Sequence, residues 1–241
     1  MKRALASDIH SNHEPLPAVL ADIYEQGIDH VYCLGDVVGY GPNPRECICE
    51  MKRVAVCILR NRDEAVFAGS ATDEFRPSAL QAVEWTCEQL HDEDHEFLHE
   101  LPRHCREERL LLVHGSLKDP TSEYVLSMDV HSPIKMMDWF DRVDQCPFHG
   151  HTHVPRVFCR SEFLRPNTIE HRYTLTNEKV MINVGSAGRP REGDPRACYV
   201  VLEEQHVVFH SVEYDVESTV AKIHRIEHLD DSMGDRLREG C

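Results

Sequence analysis

The sequence predicts an α/β protein with two sheets packed face to face and helices outside both. In the first half, short apolar runs alternate with amphipathic helical stretches. This is the rhythm of βαβ units and predicts a largely parallel sheet. From about residue 156 the texture changes to closely spaced short strands. Two facing sheets account for this order, and no Pro/Gly/Ser-rich linker divides the chain.

A strand near Arg3–Ser7 leads into an amphipathic helix near Pro15–Gln26, closed by Gly27. A strand near His30–Leu34 leads through the loop Gly39-Tyr40-Gly41-Pro42 to a helix near Pro44–Lys52. A strand near Val54–Leu59 precedes helical segments reaching about Gly69. Residues 70–101 read as a helical insertion or cap. One or two helices are expected over 77–101, with Ala82, Val83, Leu90, Phe97 and Leu98 on the apolar face. Strands follow near Arg103–Glu107 and Arg109–His114, then a helix near Ser132–Phe140. The later strands are expected near Arg156–Cys159, His171–Leu175, Val180–Val184, Ala197–Leu202 and His206–Glu213, with a helix near Val216–Arg225. These elements make one domain, residues 1–225. The tail, 226–241, is polar and charged and is expected to be mobile.

Bulk properties narrow the function. The 241 residues include 42 acidic and 26 basic side chains, a net charge of −16. That disfavours broad electrostatic binding to nucleic acid or to an anionic membrane. It does not exclude a small phosphate-bearing substrate, because divalent cations would reverse the field locally. The ten cysteines form no CxxC pair, which argues against a zinc ribbon or a thioredoxin motif. Cys33, Cys57 and Cys198 lie in apolar runs and read as small buried hydrophobes. The N-terminus reaches Asp8 too soon for a signal-peptide core, and no apolar run approaches 18 residues. A reducing, cytoplasmic setting is the expectation, and oligomeric state is left open.

The most informative feature is an ordered set of candidate metal ligands. Asp8 and His10 lie in Ser7-Asp8-Ile9-His10, and Asp36 in Leu34-Gly35-Asp36. Asn61 lies in Arg60-Asn61-Arg62-Asp63, His114 in Val113-His114-Gly115, and His151 and His153 in Gly150-His151-Thr152-His153. Asp, Asn and His are the donors that borderline divalent metals prefer. Four of the five segments follow an apolar β-like run, so residues far apart in sequence converge at one sheet edge. Asp8 and His10, two apart on an extended segment, would project to the same side, and His151 and His153 likewise. Asp36 has two oxygens with which to bridge two cations. Metals roughly 3.5–4 Å apart hold a hydroxide and a phosphoryl oxygen together for in-line attack on phosphorus.

These residues resemble the calcineurin-like metallophosphoesterase superfamily, whose pattern is DxH, GD, GNH(D/E), a lone H before G, and GHxH. The stretches Ser7–Asn12, Leu34–Pro44, Asn183–Arg191, Gly193–Ala197 and Tyr214–Glu217 look like its small prokaryotic phosphodiesterase branch. The resemblance implies a four-layer α/β/β/α sandwich of two mixed sheets. It also implies a metal-dependent phosphoric ester hydrolase, with phosphodiesters favoured over monoesters. One ion would be held by Asp8, His10, Asp36 and His153, the other by Asp36, Asn61, His114 and His151. The superfamily uses Mn, Fe, Zn, Ni or Co, and an O/N-rich donor set suits Mn or Fe somewhat better than tetrahedral zinc.

One departure stands out: Arg60 and Arg62 replace the Gly and His of GNH(D/E). In the superfamily that histidine helps protonate the leaving group. Arginine stays protonated at working pH, so it is a poor acid but can hold a phosphoryl oxygen by charge-assisted hydrogen bonds. Arg62 and Asp36 are therefore the candidate catalytic residues. Asn12, Arg62, Gly185, Ser186 and Arg189 are the candidate substrate contacts, the turn at Gly185-Ser186 being one that could cradle phosphate. The competing readings are a protein phosphatase, a dinucleoside polyphosphate hydrolase, or a catalytically weakened metal-binding scaffold.

Overall fold

A computed structural model describes residues 2–68, 75–107, 110–143 and 146–241. The first half alternates as the sequence predicts. It runs β1 (Lys2–Ala6), α1 (Pro15–Glu25), β2 (Val31–Cys33), α2 (Pro44–Met51), β3 (Val56–Cys57) and α3 (Asn61–Ala68). Two further helices follow, α4 (Pro77–Gln89) and α5 (Asp92–Glu100). Residues 70–74 of the expected insertion, and Arg109, lie outside the described residues. The chain continues with β4 (Cys105–Glu107), β5 (Leu110–Leu112), α6 (Pro133–Asp141), β6 (Cys146–His149), β7 (Arg156–Phe158) and β8 (Phe163–Leu164). It ends with β9 (Arg172–Thr174), β10 (Met181–Asn183), β11 (Ala197–Glu203), β12 (His206–Val212), α7 (Val216–Ile223) and α8 (Asp231–Glu239).

The strands form two six-stranded sheets, β3-β2-β1-β11-β12-β9 and β4-β5-β6-β10-β7-β8. Both are mixed. β1, β2 and β3 are parallel in the first, as are β5, β6 and β10 in the second, and the remaining pairs are antiparallel.

Side chains alternate across each strand, and the sequence uses both faces. On β1, Leu5 joins Phe148, Ile182, Val200 and Leu202 in the core between the sheets. Its neighbours Ala4 and Ala6 join Leu16, Val19, Ile23 and Ile48 beneath α1 and α2. On the outer face of the second sheet, Trp139 and Phe140 of α6 pack on Phe158 and Met181. The result is helix, sheet, sheet, helix, the four-layer order the resemblance implies. Strands apolar on both faces need cover on both sides, which is why their runs read as continuous rather than alternating.

The tail departs from expectation. Residues 231–239 form α8, whose Met233 and Leu237, with Leu229 just before it, pack on Ala82 and Trp85 of α4 and Val220 and Ile223 of α7. Three apolar residues four apart suffice to anchor an otherwise polar helix. Asp230 caps its start by accepting from Ser232 N, and Gly240, at φ +63°, ends it. The predicted mobile tail is thus a docked helix. Among the described residues, no helix is long and apolar enough to cross a membrane.

Candidate metal centre

The candidate ligands lie just past the C-terminal ends of parallel strands. Asp8 and His10 follow β1, Asp36 follows β2, His114 follows β5, and His151 and His153 follow β6. Asn61 opens α3 shortly after β3. Open α/β sheets place their sites at this edge.

The backbone there is unusual. Asp8, His10, Asp36, His151 and His153 all have φ between 53° and 69°. Left-handed backbone is uncommon outside glycine and clusters at functional sites. This corrects the extended geometry expected for Asp8/His10 and His151/His153, which converge through tight left-handed turns instead. The neighbouring glycines make room. A Cβ on Gly150 would lie 2.1 Å from Ser7 Oγ and 2.6 Å from Asp8 Oδ2. At Gly35, φ is +91° and a Cβ would meet Arg60 Cγ at 2.0 Å.

Two buried groups result, Asp8/His10/His153 and Asp36/His114/His151, the donor atoms within each lying within 4.8 Å of one another. They adjoin. Asp36 Oδ2 lies 3.3 Å from His114 Nε2 and 3.6 Å from His10 Nε2, while Asp8 Oδ1 lies 3.3 Å from His153 Nε2 and 3.7 Å from His114 Nε2. His10 Nε2 and His153 Nε2 are 3.1 Å apart. That is close to the spacing of two adjacent ligands each about 2.1 Å from one ion.

Hydrogen bonds behind the ligands set which atoms face inward. His114 Nδ1 donates to Leu34 O (2.9 Å), His153 Nδ1 to Arg189 O (2.6 Å) and His151 Nε2 to Ser122 O (2.9 Å). Backbone carbonyls of this kind fix the tautomer and ring orientation of metal-binding histidines. Asp8 Oδ2 accepts from His151 N (3.0 Å) and Asp36 Oδ1 from Arg62 N (3.3 Å), which leaves Asp8 Oδ1 and Asp36 Oδ2 directed at the histidines.

Several inward atoms are buried without a hydrogen-bond partner: Asp8 Oδ1, Asn61 Oδ1 and His114 Nε2. Buried polar atoms are normally satisfied, so orphans converging on one point fit a pair of cations. Protonation states agree. Burial pushes His151 down to about 4, with His114 adding to the shift, and holds His153 well below its usual value, with Arg191 and His10 adding. Both imidazoles are therefore neutral donors, as metal binding requires. Burial opposes ionisation of Asp36, but His114, His10 and His151 outweigh it and hold the carboxyl well below the usual carboxylate range. His114 is also depressed by burial, yet the carboxylates of Asp36 and Asp8 raise it overall. The same excess of negative charge would attract a cation.

The second arginine of the altered motif reaches the site and the first does not. Arg62 packs its guanidinium between Tyr40 (4.4 Å to the ring centroid) and Phe75 (4.0 Å), with Nη2 donating to the Tyr40 hydroxyl and Nη1 buried without a partner. Tyr40 itself meets the His10 ring edge-on at 5.0 Å. Arg60 is fully buried and donates to the carbonyls of Pro120 and Arg103, a strut beneath the Gly35-Asp36 turn.

Three expected substrate contacts are not brought to open space. Asn12 donates to Gly188 O (2.8 Å) and accepts from Thr219 Oγ1 (2.8 Å). Ser186 Oγ donates to Asp8 O (2.8 Å) and accepts from Arg189 N (2.7 Å). Gly185 N donates to Asn183 Oδ1 (2.9 Å). These polar groups clasp the Asp8 loop to the turn after β10 and to α7. Arg189 is buried, with its guanidinium 4.3 Å from the Tyr40 ring centroid and Nε without a partner.

Other contributors were given no role by the sequence, although Asp63 and Asn183 lie in stretches that resemble the family. Tyr124 stacks on His151 at 4.0 Å. Asp63 accepts from Val38 N (3.0 Å) and so holds the loop after Asp36. Asn183 Nδ2 donates to Gly150 O (2.7 Å) and Thr152 Oγ1 (2.9 Å) and fixes the His151–His153 turn.

Fold and donor set together define a dinuclear-type metallohydrolase, two facing mixed sheets with paired His/Asp clusters at their common edge. The calcineurin-like phosphoesterase superfamily domain matches residues 1–206, and the chain belongs to that superfamily. It is 35% identical over 246 residues to an uncharacterized protein of Methanocaldococcus jannaschii, covering 97% of this chain and 96% of that one. It is similar to the crystal structure of a metallophosphoesterase from Sphaerobacter thermophilus (TM-score 0.85, 33% identity, all of both chains). A hypothetical protein of Pyrococcus horikoshii shares the fold at 22% identity (TM-score 0.81, 100% of this chain and 98% of that one). The family is divalent-metal dependent and hydrolyses phosphoric esters.

Proposed function

We propose that the protein is a phosphodiesterase acting on esters whose leaving group departs as a stable anion. The observation that carries this reading is Arg62, which stands where the superfamily has a proton-donating histidine and lies against Tyr40 with one nitrogen unpartnered. A guanidinium gives up no proton at neutral pH but stabilises developing charge on a phosphoryl oxygen.

Asp8, His10, Asp36 and His153 would hold one ion, and Asp36, Asn61, His114 and His151 the other. Bound there, divalent cations supply an acidified water and withdraw charge from phosphorus-bound oxygens. The chain's own groups do the rest. Leu34, Ser122 and Arg189 carbonyls keep the imidazoles in the coordinating orientation. Tyr40 and Phe75 hold the Arg62 plane in place, so its fork needs little reorganisation to meet a phosphoryl group. Asp36, through its Oδ2, sits between both histidine groups, while Arg62 N holds its Oδ1.

The test uses bis(p-nitrophenyl) phosphate against p-nitrophenyl phosphate, with protein stripped by chelator and reloaded with Mn²⁺. The diester is expected to turn over faster, and Arg62→Ala to lower kcat/KM on it by about 10²-fold. Unchanged kcat/KM in Arg62→Ala on every active substrate would overturn the role of Arg62. A monoester preference would overturn the substrate class.

A further inference from the structure

We infer that the outer face of α6, with the strip of chain that precedes it, is the surface through which two copies of this chain associate.

Among the described residues, six large hydrophobic side chains are exposed, and five lie between positions 124 and 137: Tyr124 (43%), Leu126 (40%), Met128 (70%), Ile134 (78%) and Met137 (52%). The sixth, Tyr24, is on α1. Exposed apolar residues scattered singly are ordinary, whereas a contiguous group marks a contact site. These five share one surface. Tyr124 and Leu126 flank the buried Val125 and so point outward together. Val125 and Val130 pack with Met136, Trp139 and Phe140 of α6, which lays the 3-10 turn Ser127–His131 alongside that helix. On α6 itself Met136, Trp139 and Phe140 face inward, leaving Ile134 and Met137, about one turn apart, on the far side. Tyr124 also stacks on His151, so one edge of the surface borders the metal centre.

The surface is held rigidly from below. Trp139 Nε1 donates to Glu123 Oε2 (3.1 Å), beside Tyr124. Asp129 accepts from Lys135 Nζ (3.0 Å) and from Leu126 N (2.7 Å). A face ordered in advance loses little conformational entropy on association.

Its size and its charges select a second copy as the occupant. The five exposed side chains present roughly 500 Å² of apolar surface, at the upper end of what a monomer carries. A standard interface takes about 800 Å² from each partner, and the ~65% apolar share of a homodimer interface is again about 500 Å². Charges of both signs surround the apolar group. Lys118 and Arg142 pair with Asp138, Lys135 with Asp129, and Arg160 with Asp141. Nucleic acid or an anionic bilayer would call for a uniformly basic rim. A surface that meets its own image across a two-fold axis needs acids and bases together, so that each sign finds the other. The net charge of −16 opposes self-association over most of the molecule, which leaves a locally mixed patch as the place where two copies can meet.

The test is sedimentation equilibrium of the full chain over a concentration series, with reductant present because Cys49, Cys87 and Cys241 are exposed. The wild type should reach the mass of two chains at high concentration. Ile134→Glu and Met137→Glu each alter both sides of the contact and should raise the dimer dissociation constant by at least about 100-fold. Tyr24→Glu, the control, should leave it within about twofold. Thermal melts establish that the variants are folded. Hydrogen exchange needs no substitution: amides of residues 127–138 should exchange several-fold more slowly at high concentration than after dilution. A wild type that stays monomeric throughout the series would overturn the interface. So would a dissociation constant unchanged in both variants, or a dimer whose exchange over 127–138 does not depend on concentration. A monomeric wild type that sediments with phosphatidylcholine vesicles, and is released by Ile134→Glu, would overturn it too and give the face to a lipid surface.

Discussion

Gly150→Ala isolates the geometry of the centre from its chemistry. The substitution replaces no ligand, and the Gly150 backbone is in a conformation alanine adopts, so the effect is purely steric. The new methyl would sit 2.6 Å from Asp8 Oδ2 and 2.1 Å from Ser7 Oγ, where ordinary contact begins at 3.4 Å. The Asp8 carboxylate must retreat by about 0.8 Å and Ser7 Oγ by about 1.3 Å, or the His151–His153 turn must lift by about 1.3 Å. Overpacking of this kind costs about 1–3 kcal/mol. At ~2–4 °C per kcal/mol for a chain of this length, Tm should fall by roughly 2–12 °C. The functional cost should be larger. Displacing a catalytic constellation by ~1 Å costs on the order of 10²-fold in rate. The assays are metal content after gel filtration and diester turnover. Gly27→Ala is the control: Gly27 is at φ +70° with nothing within 4 Å, so only backbone strain of about 1–2 kcal/mol is expected, with metal content intact. A folded Gly150→Ala protein with wild-type metal affinity and turnover would refute the reasoning.

Removing residues 226–241 should destabilise the fold by about 4–9 kcal/mol, since Leu229, Met233 and Leu237 each lose a buried side chain worth ~1.5–3 kcal/mol. Urea unfolding checks this, and a loss below about 1 kcal/mol would mean that α8 contributes no packing. Asp94 gives a pH signature. Burial pushes its carboxyl up, but hydrogen bonds from Arg45 Nε (2.8 Å) and His91 N (3.1 Å) prevail and hold it below the usual value. A depressed carboxyl contributes stability above its unfolded pKa of about 3.9 that is lost as pH falls through the folded value. Asp94→Asn should therefore be less stable than wild type by about 1–2 kcal/mol at pH 7, with the gap closing towards pH 2. A gap equal at both pH values would contradict the assignment.

What the sequence revealed and what it hid follow from different physics. The candidate ligands were legible because each is a rare donor type placed after a β-like run, and parallel strands bring such ends together. β6 is not legible as a strand, because Cys146, Pro147 and His149 break its apolar character. Its burial comes from the neighbouring strands β5 and β10. α8 is hidden because most of its residues are polar, and its apolar anchors are three residues spaced four apart, which ion pairs from Arg238 to Glu217 and Asp235 to His224 reinforce. Asn12, Gly185 and Ser186 illustrate a deeper limit. A polar residue in a turn looks the same in sequence whether its hydrogen bonds point at a ligand or back into the fold. Arg60 and Arg62, two residues apart, separate for the same reason: one is satisfied by carbonyls below the Asp36 turn, the other reaches Tyr40. The left-handed φ values at five candidate ligands had no compositional marker, since none of those residues is glycine.

The central claim is that two histidine groups share Asp36 in one dinuclear centre. Equilibrium dialysis against Mn²⁺, followed by metal analysis of wild type and Asp36→Asn, tests it most directly. Two ions per chain are expected in the wild type, and loss of both at the same metal concentration in the variant. One ion or none in a folded wild type, or two retained in Asp36→Asn, would contradict it.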